Sequence, residues 1–487
     1  MLRGLGGEVS DAVFPARNGY ATVQRGMPPR ALSYTAGPEE DMSLTLDRAL
    51  AEAILGIDTL WGGDVMNPSG TGRFIADSWF SDEELPQSYS HATAAAVRVA
   101  GGLSAGEVDR GAVDAYLEAV ELRAALEVVA SEGAAQPGVR GPFLEGLATC
   151  LEVMWDLAME ALDLGDEVPY SRSVEASTGA APTRSDASAK VAALTALLDE
   201  AGYSTEGSVL EAADAWRRDR LVPAASIGAL ARAFIAELDA GTRAHVMPVI
   251  PEEMHEVPRS NVEFLPITDA WFSGSMNYLG RKRTADGRPL YDASYEINAS
   301  LEISIPEFMH LVSHEVVPGH VMTFAYVQHL YVLGKVGFEG TMLTMNSRYS
   351  TLAEGIANNA LLMAFGVKKI SDLPDRDLQI GTLLSLLQDD AKNQASYLTW
   401  NDGLAQPEVA AALRRDFLVS EERAGKLSGP WAHHAILGRM YLPSYRAGTD
   451  AVAEWRRAHA PEVILPALYG CRGLVDVVTV NEVITNG

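Results

Sequence analysis

The sequence predicts a mostly α-helical protein, a helical body around a deep cleft with a small β-sheet along one wall. Three observations carry this expectation. Apolar residues recur at three-and-four spacing through most of the N-terminal half, which lines them up on one helix face. Residues 246 to 304 replace that period with short extended runs and turn signals. Helical periodicity then resumes at Pro306.

Taken in order, Leu46, Leu50, Ile54, Ile57 and Trp61 form one stripe, and Val113, Leu117, Val120, Ala124 and Val128 another. Both read as core helices within an N-terminal helical region, 1–165. Residues 166 to 188 gather Pro, Gly, Ser and Thr, which marks a surface loop or boundary. Asp186 is a plausible N-cap for a helical region spanning 189–245. Between 246 and 304, Pro248, Pro251, Pro258 and Pro266 and an Asp286-Gly287 turn between runs around Tyr278 and Tyr291 place a small sheet. Helices follow to about Ala460, and the tail VDVVTVNEVITNG reads as a closing strand or an exposed segment. The catalytic region is expected within 246–487.

The chain has 487 residues, with 38 Lys+Arg against 65 Asp+Glu, so 38 − 65 gives a net charge of −27. That charge argues against a surface that tracks phosphates, so nucleic acid is not an expected partner. Apolar residues at 47% and charged residues at 21% allow a large buried core and are unlike disorder. With only Cys150 and Cys471, no disulfide framework holds the fold. The first residues lack the apolar core of a secretory signal, and no apolar run is long enough to span a bilayer. A cytoplasmic protein without membrane partners is expected, its oligomeric state left open.

The most informative stretch is PEFMHLVSHEVVPGH, Pro306 to His320, which holds His314, Glu315 and His320 as H-E-x-x-P-G-H. In the better-known H-E-x-x-H, two His four apart share a helix face and a metal. Six residues apart they face about 120° away from each other on a regular helix. Pro318 cannot donate to the carbonyl of His314 and disfavours helix at Val317, while Gly319 can turn freely. A kinked helix that returns His320 to the side of His314 is the expectation. Glu315, beside the first His, is placed as general base toward a metal-bound water, whose pKa the cation lowers. A catalytic zinc site needs a third protein ligand. Glu354, 34 residues beyond His320 on another periodic helix, is the candidate, with Asn358 one turn on to orient a ligand. A rival cluster, Glu307, His310 and His314, has easier helical spacing but leaves the Pro-Gly and Glu315 unexplained. His329 reads as a packed residue, and His433-His434 as substrate-binding or structural.

These residues resemble a known family. H-E-V-V-P-G-H preceded by DGRPLYDASYEIN, then Ala353-Glu354-Gly355, then RMYLPSYRAG from Arg439 to Gly448, resembles the bacterial proteins called domain of unknown function 885 over about residues 245 to 450. That family is similar to mostly helical zinc peptidases of the thimet oligopeptidase and carboxypeptidase Taq kind. The resemblance implies a metallopeptidase-like fold with His314, His320 and Glu354 as ligands of one zinc per chain. It further implies Glu315 as base and Tyr445 near the substrate. Val321 stands where the family's motif continues with a further His, and Ile-Ala-Asn-Asn follows Glu354-Gly355 where the family carries Trp-Ala-Leu-Tyr.

Tyr278 and Arg281, in a local Arg-Lys-Arg cluster, form a positive spot suited to a substrate carboxylate. Arg439 and Tyr445 are placed to polarise a carbonyl oxygen, with Tyr441 beside them on the substrate side. The expected function is zinc-dependent hydrolysis of an amide bond in a short peptide or a carboxylate-bearing, peptide-like metabolite. The alternatives are a non-haem Fe(II) enzyme on the same His/His/Glu triad, a metal-dependent tailoring enzyme acting on a non-peptide small molecule, and a non-catalytic helical binding protein.

Overall fold

Leu50, Ile54 and Ile57 lie fully buried on helix α1 (Leu46–Leu60). The helix is capped by the Thr45 hydroxyl, which accepts from the Arg48 N–H at 3.4 Å. The second stripe read from the sequence is two helices. Arg110–Ala119 ends at an extended Val120 (φ −128°, ψ 135°), and a new helix runs over Leu122–Ala134. Val113 and Val120 are buried, so the apolar period survives although the backbone breaks.

The chain is described here from a computed structural model, over residues 44–69, 72–267, 274–298 and 302–485. All of these fall in one unit spanning residues 44–487. The expectations for residues 1–43, the N-terminus included, lie outside the described residues.

The segment expected as loop or boundary contains a helix, Tyr170–Thr178, which starts after Pro169 and stops at left-handed Gly179. These are the positions where proline and glycine punctuate helices, and the density of such residues is what obscured the helix in the sequence. The next helix, Ser188–Glu200, starts one residue later than expected: its N-cap is Ala187, with no side-chain cap, and Asp186 stands before it, accepting from the Ser188 N–H at 2.9 Å. Helix α2 (Ile227–His245) leads into the sheet region.

The sheet has three strands: β1 (Val262–Ile267), β2 (Gly274–Tyr278) and β3 (Ala293–Asn298). Their order is β1-β3-β2, with β1 parallel and β2 antiparallel to β3. Tyr295 at the centre of β3 is opposite Phe264 on one side and Met276 on the other. The Asp286-Gly287 turn forms as expected, with Gly287 at φ +86°.

Beyond the sheet run α3 (Ile305–Glu315), α4 (His320–Val332), α5 (Arg348–Ala364), α6 (Arg376–Trp400) and α7 (Leu442–Ala458). Helices α5 and α7 approach at backbone distance. A Cβ on Gly448 would lie 1.9 Å from the Thr351 carbonyl oxygen, so only glycine fits. This approach brings Tyr441 and Tyr445 against Glu354. The tail ends in a helix, Val480–Thr485, with Val480, Val483 and Ile484 buried, rather than in the closing strand or exposed segment expected. Asp476 accepts from the N–H groups of Val478 and Thr479, both at 2.8 Å, and closes the turn that leads into that helix. No helix among the described residues is long and apolar enough to cross a membrane.

Candidate metal centre

The H-E-x-x-P-G-H segment is a full helix break, not the kink its sequence predicts. Helix α3 ends at Glu315 and α4 begins at His320, because Val316 (φ −113°, ψ −81°) and Gly319 (φ −78°, ψ −133°) both leave helical geometry. The break is hydrogen-bonded internally: the Gly319 N–H donates to the Ser313 carbonyl at 3.1 Å and Met322 to Val316 at 3.2 Å. A Cβ on Gly319 would sit 1.8 Å from the His314 carbonyl oxygen. The outcome for the side chains is the expected one. The rings of His314 and His320 meet at 4.7 Å between centroids and 89° between planes.

Glu354 comes to the same point from α5. One carboxylate oxygen, Oε2, lies 3.4 Å from His314 Nε2, and the other, Oε1, lies 3.7 Å from His320 Nε2. Ligand atoms of His314, Glu315 and His320 all lie within 4.8 Å of one another. Two carboxylates therefore crowd one imidazole pair, and all four residues are buried.

The hydrogen-bond chain around His314 sets its tautomer. The Thr449 hydroxyl donates to the Tyr445 carbonyl at 2.6 Å, so its oxygen accepts from Asn358 Nδ2 at 2.8 Å. That leaves Asn358 Oδ1 facing His314 Nδ1 at 2.8 Å, and the proton must sit on Nδ1. His314 Nε2 is then a bare lone pair directed at another acceptor, Glu354 Oε2. Two buried acceptors 3.4 Å apart need either a proton or a metal ion between them. Asn358, singled out from its spacing to Glu354, is the orienting partner the sequence suggested.

The electrostatics agree. Burial holds His314 well below its usual pKa and brings His320 down to about 3, so both rings are neutral and able to ligate. Burial, reinforced by the Glu354 carboxylate, lifts Glu315 to about 8, and burial lifts Glu354 to about 7. A divalent cation at this point would reverse those shifts. The donor set, two imidazoles and a carboxylate, suits zinc. A consequence can be measured in metal-free protein. Both carboxyls titrate higher folded than their ordinary 4.5, so the folded state holds more protons and stability falls as pH rises from about 5 to about 8. Thermal melts of chelator-treated protein should show that decline, and zinc should flatten it. A flat profile without zinc would contradict the crowding of the two carboxyls.

Of the residues placed with the substrate, the structure brings some to this point and not others. Tyr445 lines the pocket over the imidazole pair and the pocket behind it. Tyr441 lines the first pocket, but its hydroxyl donates to Glu354 Oε1 at 2.6 Å, which makes it a holder of that carboxylate rather than a free substrate group. Tyr278 is fully buried, donating to Gln328 at 2.5 Å between Phe80 and Phe324. Arg281 donates to the carbonyls of Val65 and Met66 and ties down that loop. Arg439 pairs with Glu160 at 2.6 Å under the ring of Trp400. None of these three lines either pocket: the Tyr278 hydroxyl and the terminal guanidinium nitrogens of Arg281 and Arg439 are engaged by groups inside the protein. Arg439→Met is accordingly expected to lower stability by about 1–3 kcal/mol through the orphaned Glu160 and to leave substrate affinity unchanged. Denaturant titration beside a KM measurement would test this.

The rival ligand set does not form. Glu307 is taken by Arg217 at 3.2 Å and by the Ser304 hydroxyl at 2.7 Å. His329 bonds the Tyr291 hydroxyl at 2.7 Å, and His434 stacks on Phe74 and bonds Ser104 at 3.0 Å. Both are structural.

Sequence reasoning missed Arg73 and Asp77, which reach the pocket from the N-terminal half as a buried ion pair at 2.6 Å. Arg73 also donates to Asn277 at 3.0 Å, to Ser275 at 3.0 Å and to the Met276 carbonyl. It locks β2 against the site. No local pattern around Arg73 marks it. Lys392 of α6 was missed as well; it lies 3.2 Å from the centre of the Tyr445 ring.

No family model matches the chain, and no curated protein does. Among solved structures, the chain is similar to a "putative lipoprotein" from Colwellia psychrerythraea at 14% identity and TM-score 0.49, covering 80% of this chain and 74% of that one. It is also similar to a "putative lipoprotein of unknown function" from Shewanella oneidensis at 14% identity and TM-score 0.45, covering 80% and 81%. The resemblance to domain of unknown function 885 is corrected by these findings. The motif residues are present, but the chain matches no model of that family.

Proposed function

We propose that the protein is a zinc-dependent hydrolase that cleaves an amide bond in a short peptide or peptide-like metabolite. One observation carries this reading: a bare His314 lone pair and the Glu354 carboxylate face each other at 3.4 Å, with the second imidazole and Glu315 beside them.

His314, His320 and Glu354 would hold the ion, and the two pockets that meet there would form the expected cleft. Glu354 is preferred to Glu315 as ligand because each of its oxygens faces a different imidazole and Tyr441 fixes it. When bound, zinc supplies Lewis acidity toward a carbonyl oxygen and toward water. Glu315, last residue of α3, takes the proton of a water attacking the carbonyl carbon and delivers it to the departing nitrogen. Tyr445 donates its phenol toward the carbonyl oxygen as negative charge builds there. Asn358 holds the His314 ring in its ligating tautomer. The same three ligands would suit Fe(II), but a buried carboxylate directed at the same point as the ligand set answers a need of hydrolysis and none of oxygen chemistry.

Metal analysis of purified protein, followed by digestion of a peptide library, tests the proposal. One zinc per chain and cleavage lost in His320→Ala are expected. Substoichiometric metal, or a metal-loaded protein that cleaves no peptide-like amide, would overturn it. Asn358→Ala should weaken zinc by about 10- to 100-fold in a competition titration, as removal of a ligand-orienting group does. Unchanged affinity would mean the tautomer is held otherwise.

A further inference from the structure

The pocket over the imidazole pair does not end at Glu315. A second pocket lies behind it, and the two share Gly274, His314, Glu315, Trp431 and Tyr445. Their other walls differ in kind. Beyond the Arg73–Asp77 pair, the first is largely apolar, with Met276, Phe324, Leu343 and Leu437. The second is charged, with Lys392, Arg423, Asp389 and the His310 ring.

We propose that the second pocket receives a substrate carboxylate, held by the Lys392 ammonium and the His310 ring, so that the bond cut is the amide adjacent to a free carboxylate. The proposal rests on the hydrolase reading and names its substrate class. Lys392 is 8% exposed and has three N–H donors. One goes to Asp389 Oδ1 at 3.0 Å, and the ammonium lies against the Tyr445 ring. A donor remains for a ligand. Asp389 is also shared: it offsets the charge of both Lys392 and Arg423, two cations that repel each other.

His310 is the independent observation. It is 3% exposed, lies one turn before His314 on α3 and lines this pocket, yet neither ring nitrogen has a partner among the described residues. A neutral imidazole always carries one N–H, and here it is a buried donor with nothing to donate to. A carboxylate in this pocket would satisfy both groups. The scissile amide would then lie over Glu315 and Tyr445, with the acyl part in the apolar pocket. In the reaction the water oxygen bonds to the acyl carbon, the C–N bond breaks, and both water protons end on the nitrogen. A carboxylate and a free amino acid leave.

Binding tests this without requiring turnover. The probes are N-acetyl-phenylalanine and its carboxamide, measured by calorimetry on the zinc-loaded full chain. The acid should bind about 30-fold tighter than the amide. Lys392→Met should erase that preference and Lys392→Arg should keep it. Equal affinity of the two probes for the wild type would overturn the proposal. So would a preference that survives Lys392→Met, which would assign the carboxylate to the ion instead. Ala-Ala-Phe as a third probe separates a peptide terminus from a small acylated amino acid, and binding of either acid supports the pocket. A Lys392-dependent preference in a protein that cleaves nothing would sink the hydrolase reading and leave the carboxylate site standing.

Discussion

Glu315→Gln protein should bind zinc as the wild type does and hydrolyse its amide substrate about 10²–10⁴-fold more slowly, the range that one positioned general base supplies. The substitution is nearly isosteric and removes only the ability to accept a proton. Glu315 terminates α3 immediately after His314, so the backbone that places the ligand also places the base. Its environment suits a group that must accept and return a proton near neutrality. Burial and the Glu354 carboxylate push its pKa up to about 8 in the absence of an ion, and a cation at the imidazole pair would draw it down again. The loss should appear in kcat, with KM nearly unmoved, because the proton is taken in the transition state. Unimpaired turnover in the zinc-loaded variant would remove Glu315 from the chemistry and return the iron alternative to first place.

Gly319→Ala should cost the protein both its metal and much of its stability. The added methyl carbon would stand 1.8 Å from the His314 carbonyl oxygen and 2.5 Å from that of Ser313. Those atoms are backbone in the last turn of α3 and cannot swing aside. Relief requires the break between α3 and α4 to open, which strains a buried segment at about 3 kcal/mol and moves His320 off the shared point. Zinc affinity should fall by more than 10²-fold, and the melting temperature should drop even in chelator, where loss of metal contributes nothing. A variant with native zinc affinity would show that the break does not position His320.

Much of this architecture is legible from periodicity. The α1 stripe, the sheet within 246–304 and the helices beyond Pro306 each carry a local pattern that tertiary packing did not override. The failures are equally physical. Valines near the C-terminus suggested a strand or an exposed segment, but Asp476 closes a turn over Val478 and Thr479 from which a helix runs on. Pro318 and Gly319 signalled a kink, and departures from helical dihedrals at both ends of the segment, at Val316 and Gly319, turned it into a full break. His314, Glu315, His320, Glu354 and Asn358 could be found because short spacings on helices fix directions. Arg73, Asp77 and Lys392 could not, since they arrive from distant segments and nothing nearby distinguishes them from ordinary charged residues. The substrate assignments of Tyr278, Arg281 and Arg439 failed for one reason. Polar groups near a motif in sequence are as often consumed by the interior, as Glu160 consumes Arg439, as they are offered to a ligand.

The central claim is that one cation sits where the imidazoles of His314 and His320 meet the carboxylate of Glu354. Anomalous diffraction at the zinc absorption edge, from crystals of the full chain loaded with one equivalent of zinc, tests it most directly. A single strong peak should lie about 2.0–2.2 Å from a nitrogen of each imidazole and from a Glu354 oxygen. A loaded crystal with its zinc elsewhere, and those three side chains closed on one another through a proton, would contradict the account.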